Sequence, residues 1–226
     1  MAKTAPSDAP ASSDPDWAVA AEQQVLDAAL TLAPQEGWTS RLATRAGQAC
    51  GFSAGETELL LPQGPADLAA LLSRRHDRRA LEALAAVDPA SLKIRERIAR
   101  GVEARLNAAA ADEPAVRRCT GFLALPPHLA LGARLAWESA DVLWRWAGDT
   151  ATDENHYSKR ALLAGILTGA LAIRLSSGQQ AALAFTDRRI ADVMAFEKWK
   201  ATTRFKPSEM ATNVARSLGR MRFGAK

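Results

Sequence analysis

Three observations predict an all-α protein. Alanine supplies about one residue in five while valine and isoleucine are scarce, a composition that favours helix over sheet. Apolar residues recur at spacings of three and four along most of the chain, with no sustained alternation. Proline, glycine and capping residues cut that pattern at intervals that suit about ten helices. A chain of 226 residues, 48% hydrophobic, can bury one substantial core. Cys50 and Cys119 stand far apart, and His76, His128 and His156 fall in no ligand spacing. That excludes a disulfide scaffold and argues against a zinc module.

Residues 1–16 are rich in Pro, Ser, Ala and Asp without an apolar run, so they read as a disordered leader, neither a secretory nor a mitochondrial signal. The first helix is expected near Asp16 to Ala33, with Val19, Val25, Leu26, Ala29 and Leu30 inward and Pro34 and Gly37 ending it. Short helices follow over Thr39–Cys50 and Ser53–Leu61, then a turn at Pro62–Pro65. Ala66–Val87 forms a longer helix with a mixed charge run, Arg74–Arg79. Asp88–Pro89 opens a helix to about Ala111, and Asp112–Pro114 starts another that reaches Leu125, where Pro126–Pro127 breaks it. Helices over His128–Trp146, Glu154–Ser176 and Gln179–Lys200 complete the pattern, with a last segment beyond Pro207. The most apolar stretch, Ala161–Ile173, is short of the ~20 residues of a membrane span and is expected as a core or interface helix of a soluble chain. The expected domains are thus the leader 1–16, a head 17–64, a helical bundle 65–202 and a C-terminal segment 203–226.

Three short helices ahead of a long bundle resemble TetR-type regulators, through Val25–Leu30, Gly37-Trp38 and Ala43–Ala46. Ser53–Leu61 then takes the place of the recognition helix. It holds Glu56 and Glu58 and no Lys or Arg, whereas a major-groove helix needs cations for phosphates and donors for base edges. The expectation is a degenerate helix-turn-helix kept for packing, and no nucleic-acid partner. A TetR-type ligand-responsive regulator is the alternative.

From Leu125 onward a second resemblance is denser. Its residues are Leu125-Pro126, Asp141–Trp144, Ala147–Asp149, Thr152-Asp153, Tyr157–Leu163, Phe185 and Arg189–Met194. The string from Trp144 to Tyr157, W-x-x-A-G-D-x-x-T-D-x-x-x-Y, is long and compositionally unusual. These residues resemble the ubiquinone-biosynthesis accessory protein family, the lipid-binding ninth Coq protein and its bacterial relatives. The resemblance implies a TetR-like fold with an idle head and a bundle that binds an isoprenoid lipid. It implies no chemistry of its own: polyprenyl quinone precursors are presented to a hydroxylase, of the di-iron type. A bound isoprenoid or phospholipid-like ligand is expected, and no cofactor.

The residues accommodate that reading. Leu131, Leu135, Val142 and Trp146 stripe one helix, and Leu162, Leu163, Ile166, Leu167 and Leu171 answer on the next, leaving an apolar slot of the kind small ligands occupy. The expected lipid-binding set is Leu131, Leu135, Val142, Trp144, Leu163, Ile166, Leu167 and Phe185. Gly165 and Gly169 suit close helix packing, and a homodimer through the last two bundle helices is expected. The resemblance assigns Leu143, Tyr157 and Arg160 to the surface that meets the hydroxylase. Asp141, Asp153 and His156 join them in the expected partner-binding set, although family members often have Trp at the position of His156. Thr152 or Asp153 also suits a helix cap.

Glu154 and His156 lie two apart and point away from each other, unlike a di-iron Glu-x-x-His pair. With no phosphate loop and no nucleophile elbow either, catalysis is not expected. From Lys198 to Lys226 eight basic residues oppose Glu209 alone. Phe205, Met210, Val214, Leu218 and Met221 are apolar there, with Arg216 and Arg220 on another face. A helix of that kind suits an anionic membrane interface, and these seven residues form the expected membrane-binding set. The resulting localisation is cytoplasmic, peripheral to the inner membrane.

Overall fold

The computed structural model describes residues 15–149 and 154–202. Among them are nine α-helices and no strand, the all-α architecture expected. They are α1 (Pro15–Glu36), α2 (Ser40–Ala49), α3 (Ala54–Leu60), α4 (Pro65–Leu84), α5 (Ile94–Ala110), α6 (Glu113–Leu123), α7 (Leu129–Trp146), α8 (Glu154–Ser177) and α9 (Gln179–Thr202). Most of the leader, the Thr152 and Asp153 cap, and all seven expected membrane residues from Phe205 to Met221 lie outside the described residues.

Several boundaries differ from expectation by a few residues, and three of them, at prolines, have a local reason. α1 runs through Pro34 to Glu36 because the Gly37 N–H still reaches the Ala33 carbonyl, so the proline costs only its own hydrogen bond in the last turn. Val19, expected inward, is 55% exposed on that helix. Pro89 starts only a 3₁₀ turn, Pro89–Ser91, capped by Asp88, and the α-helix begins at Ile94. Leu125 is extended before Pro126, which ends α6 at Leu123 and leaves a 3₁₀ turn over Pro126–His128.

The head is tied to the bundle through one core. Val25 and Leu26 of α1, Trp38, Leu42 of α2, Leu68 and Leu72 of α4, Phe122 of α6 and Leu135 of α7 belong to a single buried cluster. Trp38 also donates its indole N–H to the Pro65 carbonyl at 2.8 Å. The described residues up to Thr186 accordingly form one compact unit, and those from Asp187 onward a second. In the second unit Phe196 and Trp199 are exposed with ring centroids 5.9 Å apart, and Arg189 pairs with Asp192 at 2.6 Å.

In the head, Glu56 has a structural task. Its carboxylate accepts from the Ser53 N–H at 2.8 Å while the Ser53 hydroxyl accepts from the Glu56 N–H, a reciprocal cap on α3. The Ser53 side-chain and backbone hydrogen bonds hold that carboxyl below its ordinary value. Gly47 lets α3 approach α2: a Cβ there would lie 2.7 Å from Cγ2 and 2.9 Å from Cβ of Thr57, a buried residue. Gly47→Ala will therefore destabilise the protein by about 1–3 kcal/mol, although in an open helix alanine is better than glycine by about 1 kcal/mol. Urea titration reads the sign directly, and a stabilised variant would refute this packing.

Candidate functional site

Two features stand out in the larger unit: a half-open cavity and a charged corner where α7 meets α8. The cavity, about 480 Å³ and half open, is lined by α4, α5, α6, α7 and α8. Its walls are mainly apolar, among them Leu72, Leu106, Val116, Leu135, Leu167 and Leu171. They arise from the inward stripes of amphipathic helices: where small residues such as Ala69, Ala109, Gly132 and Ala136 line the facing positions, the stripes do not meet.

One end of this cavity is polar. Ser73 and His76 of α4, Arg105 of α5 and Ser139 of α7 line it. Arg105 is already paired, its Nε 2.6 Å from Asp77 Oδ1 and its Nη2 3.3 Å from Ser73 Oγ. His76 Nε2 lies 2.9 Å from Asp112 Oδ2, which Arg79 also meets at 2.8 Å. Burial, followed by the neighbouring Arg105 charge, pushes the His76 imidazole down to about 4, so it is neutral at pH 7. Burial also pushes the Cys119 thiol, on the same lining, up to about 12. The floor thus holds matched charges and neutral donors and acceptors.

Of the expected lipid-binding residues, Leu135 and Leu167 line this cavity. Leu163 and Ile166 are buried but off its wall, and Leu131 is half-buried against the core. Val142 is half-buried elsewhere on α7. Trp144 instead donates its indole N–H to the Lys159 carbonyl at 3.1 Å, with Lys159 Nζ 5.4 Å from its ring centroid. Phe185 fills the space over Gly169, where a Cβ would sit 2.8 Å from Phe185 Cζ. The slot expected between two helices is therefore corrected: α7 and α8 pack on each other, and the void lies toward α4, α5 and α6. Helical spacing does not say which of several inward faces surround a gap. His76 was legible in part, because Leu68, Leu72, His76, Ala80 and Leu84 fall on one inward stripe of α4.

The corner explains much of the Trp144–Tyr157 string. Arg97 of α5 donates to the Ala147 carbonyl at 2.7 Å, fixing the end of α7. Gly148 follows with φ 86°, a left-handed conformation that turns the chain so that Asp149 faces back. Arg160 then bridges two carboxylates, with Nε 2.6 Å from Asp141 Oδ1 and Nη1 3.1 Å from Asp149 Oδ2, and Lys159 Nζ meets Asp149 at 2.7 Å. Burial alone would raise the Asp149 carboxyl, but the hydrogen bonds and charges of Lys159 and Arg160 together outweigh it and hold the group below its ordinary value.

That geometry corrects two expected surface residues. Arg160 is 2% exposed and Leu143 is 1% exposed, Leu143 lying against Gly101 of α5. Neither is placed to touch a partner; both hold α8 and α7 in position. Tyr157 does face outward, 65% exposed, with the ring of Trp137 6.1 Å and that of His156 5.2 Å away. Asp141 is half-buried at the edge of the same patch. Trp137, which sequence reasoning missed, joins this cluster because antiparallel packing brings α7 beside the start of α8.

His156–Ser177 is long and apolar enough to cross a membrane by length and composition, longer than the run bounded by Arg174. Its inward side is nevertheless committed to the bundle through Arg160, Leu163, Ile166, Leu167 and Ala170, all buried. Its outward side, with Ala161, Leu162, Gly165, Thr168 and Ala172, is exposed.

A three-helix head fused to a helical bundle that holds a half-open cavity defines a TetR-like bundle protein. Within it, residues 129–197 match the COQ9 family. The chain is 25% identical over 182 residues to the rat ubiquinone biosynthesis protein COQ9, mitochondrial, covering 76% of this chain and 58% of that protein. It is 28% identical to the human protein of that name over 151 residues, covering 64% of this chain and 48% of that one. To COQ9-A of Xenopus laevis it is 27% identical over 187 residues, with 76% and 57% covered. The resemblance read from the sequence is borne out, and the chain spans about half to three-fifths of the length of the curated relatives it matches.

Proposed function

We propose that this protein serves ubiquinone biosynthesis as a non-catalytic lipid-binding accessory protein. It holds a polyprenyl quinone intermediate in the bundle cavity and presents it to a hydroxylase of the di-iron type at an anionic membrane face. The observation that supports this most is the half-open, mainly apolar cavity of about 480 Å³, whose α7 and α8 walls fall in the stretch that matches COQ9, a size and lining typical of small-ligand sites. The exposed Tyr157, flanked by Trp137 and His156, is the docking surface for the hydroxylase, since aromatic side chains are frequent binding hot spots. The basic C-terminal segment supports membrane recruitment, and the outward face of α8 supports a homodimer.

Ala136 lines the cavity from α7, so Ala136→Trp fills it with one large ring. Organic extraction of the purified protein followed by mass spectrometry will recover isoprenoid lipid from the wild type and at least tenfold less from Ala136→Trp. An equal lipid load in a variant that melts as the wild type does would reject carriage in this cavity.

A further inference from the structure

Within the lipid-binding reading, which this inference rests on, the two ends of the cavity are chemically different. Ser139 is 3% exposed, lines the polar end, and its hydroxyl has no hydrogen-bond partner among the described residues. That hydroxyl opens on the cavity rather than on packed side chains, so an oxygen-bearing group bound there can pair with it. His76 commits only Nε2 to a protein group, Asp112. Ser73 Oγ, at 3.3 Å from Arg105, closes the same end. The opposite end is formed by Ala124, Leu129, Ala133, Thr168 and Ala172, all exposed, so the cavity opens there through apolar or small side chains.

We infer that the polar end, around Ser139, Ser73 and His76, receives the neutral oxygen-bearing ring of the lipid, and that the isoprenoid tail leaves through the mouth at Leu129 and Ala172. Two physical arguments select this orientation. The first is charge. Arg105 is the sole cation on the described lining, and its charge is matched by Asp77 at 2.6 Å. A phosphate head would thus enter a desolvated site with no free positive charge, whereas a ring carbonyl or phenol needs only hydrogen bonds. The second is size. At about 30 Å³ per water-sized group, a cavity of about 480 Å³ takes on the order of fifteen heavy atoms. That accommodates a substituted ring with one isoprene unit and leaves a long tail outside, against a membrane or a second protein.

The test uses the whole protein and three probes with short tails: a ubiquinone with two isoprene units, farnesene as a tail without oxygen, and farnesyl phosphate as a charged head. Tryptophan fluorescence titration should rank the quinone tightest and the phosphate weakest. Ser139→Ala, checked by thermal melting, should weaken quinone binding about fivefold, the loss of one buried hydrogen bond, and leave farnesene unchanged. Unchanged quinone affinity in Ser139→Ala overturns the orientation, as does farnesyl phosphate binding more tightly than the quinone. Farnesene equal to the quinone overturns the ring assignment while leaving lipid carriage standing. If the wild type binds none of the three, lipid carriage falls with it.

Discussion

Arg160→Ala will lower the melting temperature by on the order of 10 °C. The guanidinium is 2% exposed and bridges Asp141 and Asp149, the latter only 7% exposed. Removing it leaves a buried carboxylate short of a counter-charge, a class of change that costs about 3–5 kcal/mol, and each kcal/mol moves the midpoint of a chain this size by about 2–4 °C. Arg160→Lys will recover only part of the loss, because an ammonium cannot fork across two carboxylates. The pH dependence follows from Asp149, whose folded pKa lies below its ordinary 3.8. A carboxylate depressed on folding contributes stability above its unfolded pKa, and that contribution disappears as pH falls through the folded value. The gap between wild type and Arg160→Ala will therefore be widest near neutrality and narrow as pH drops below 3.8. Differential scanning calorimetry from pH 7 to pH 3 checks both points; a gap independent of pH would assign the loss to packing alone.

Leu143→Ala will cost about 2–5 kcal/mol, the range for truncating a fully buried leucine. Its side chain is 1% exposed and packs over Gly101, where a Cβ would meet Leu143 Cδ2 at 3.4 Å. Tyr157→Ala, by contrast, will stay within about 0.5 kcal/mol of wild type, as exposed positions do, since Tyr157 is 65% exposed. Denaturant titration of the pair separates a positioning residue from a docking one. If Leu143→Ala proves neutral, Leu143 belongs on the surface after all and α7 must sit differently on α5.

The helices were legible in the sequence because their signals are local. Gly37, Ser53 and Pro126 each mark a boundary through the conformations and hydrogen bonds of a few neighbouring residues. Pro34 misled for the same reason: a proline in the last turn removes one hydrogen bond, while the bond from Gly37 to Ala33 is made beyond it. The candidate site was legible in class and not in place. Leu135 and Leu167 were found because any inward leucine of α7 and α8 is a fair candidate. His76, Arg105 and Ser139 were not, because their shared role depends on α4, α5 and α7 meeting around one void.

Arg160 marks where local reading stops. Spacing put it one turn from Tyr157 and so on a similar face, yet three positions on a helix of 3.6 residues per turn differ by about 60°. Against the flank of α7, that rotation separates a residue buried between two aspartates from one open to solvent. Composition, periodicity and capping were enough to specify an all-helical chain with an acidic third helix and a dense motif from Trp144 to Tyr157. Which residues of that motif clamp the bundle and which face outward, and where the bundle keeps empty space, was decided by helix packing. Burial and charge pairing are sums over several chain segments, and no single segment contains them.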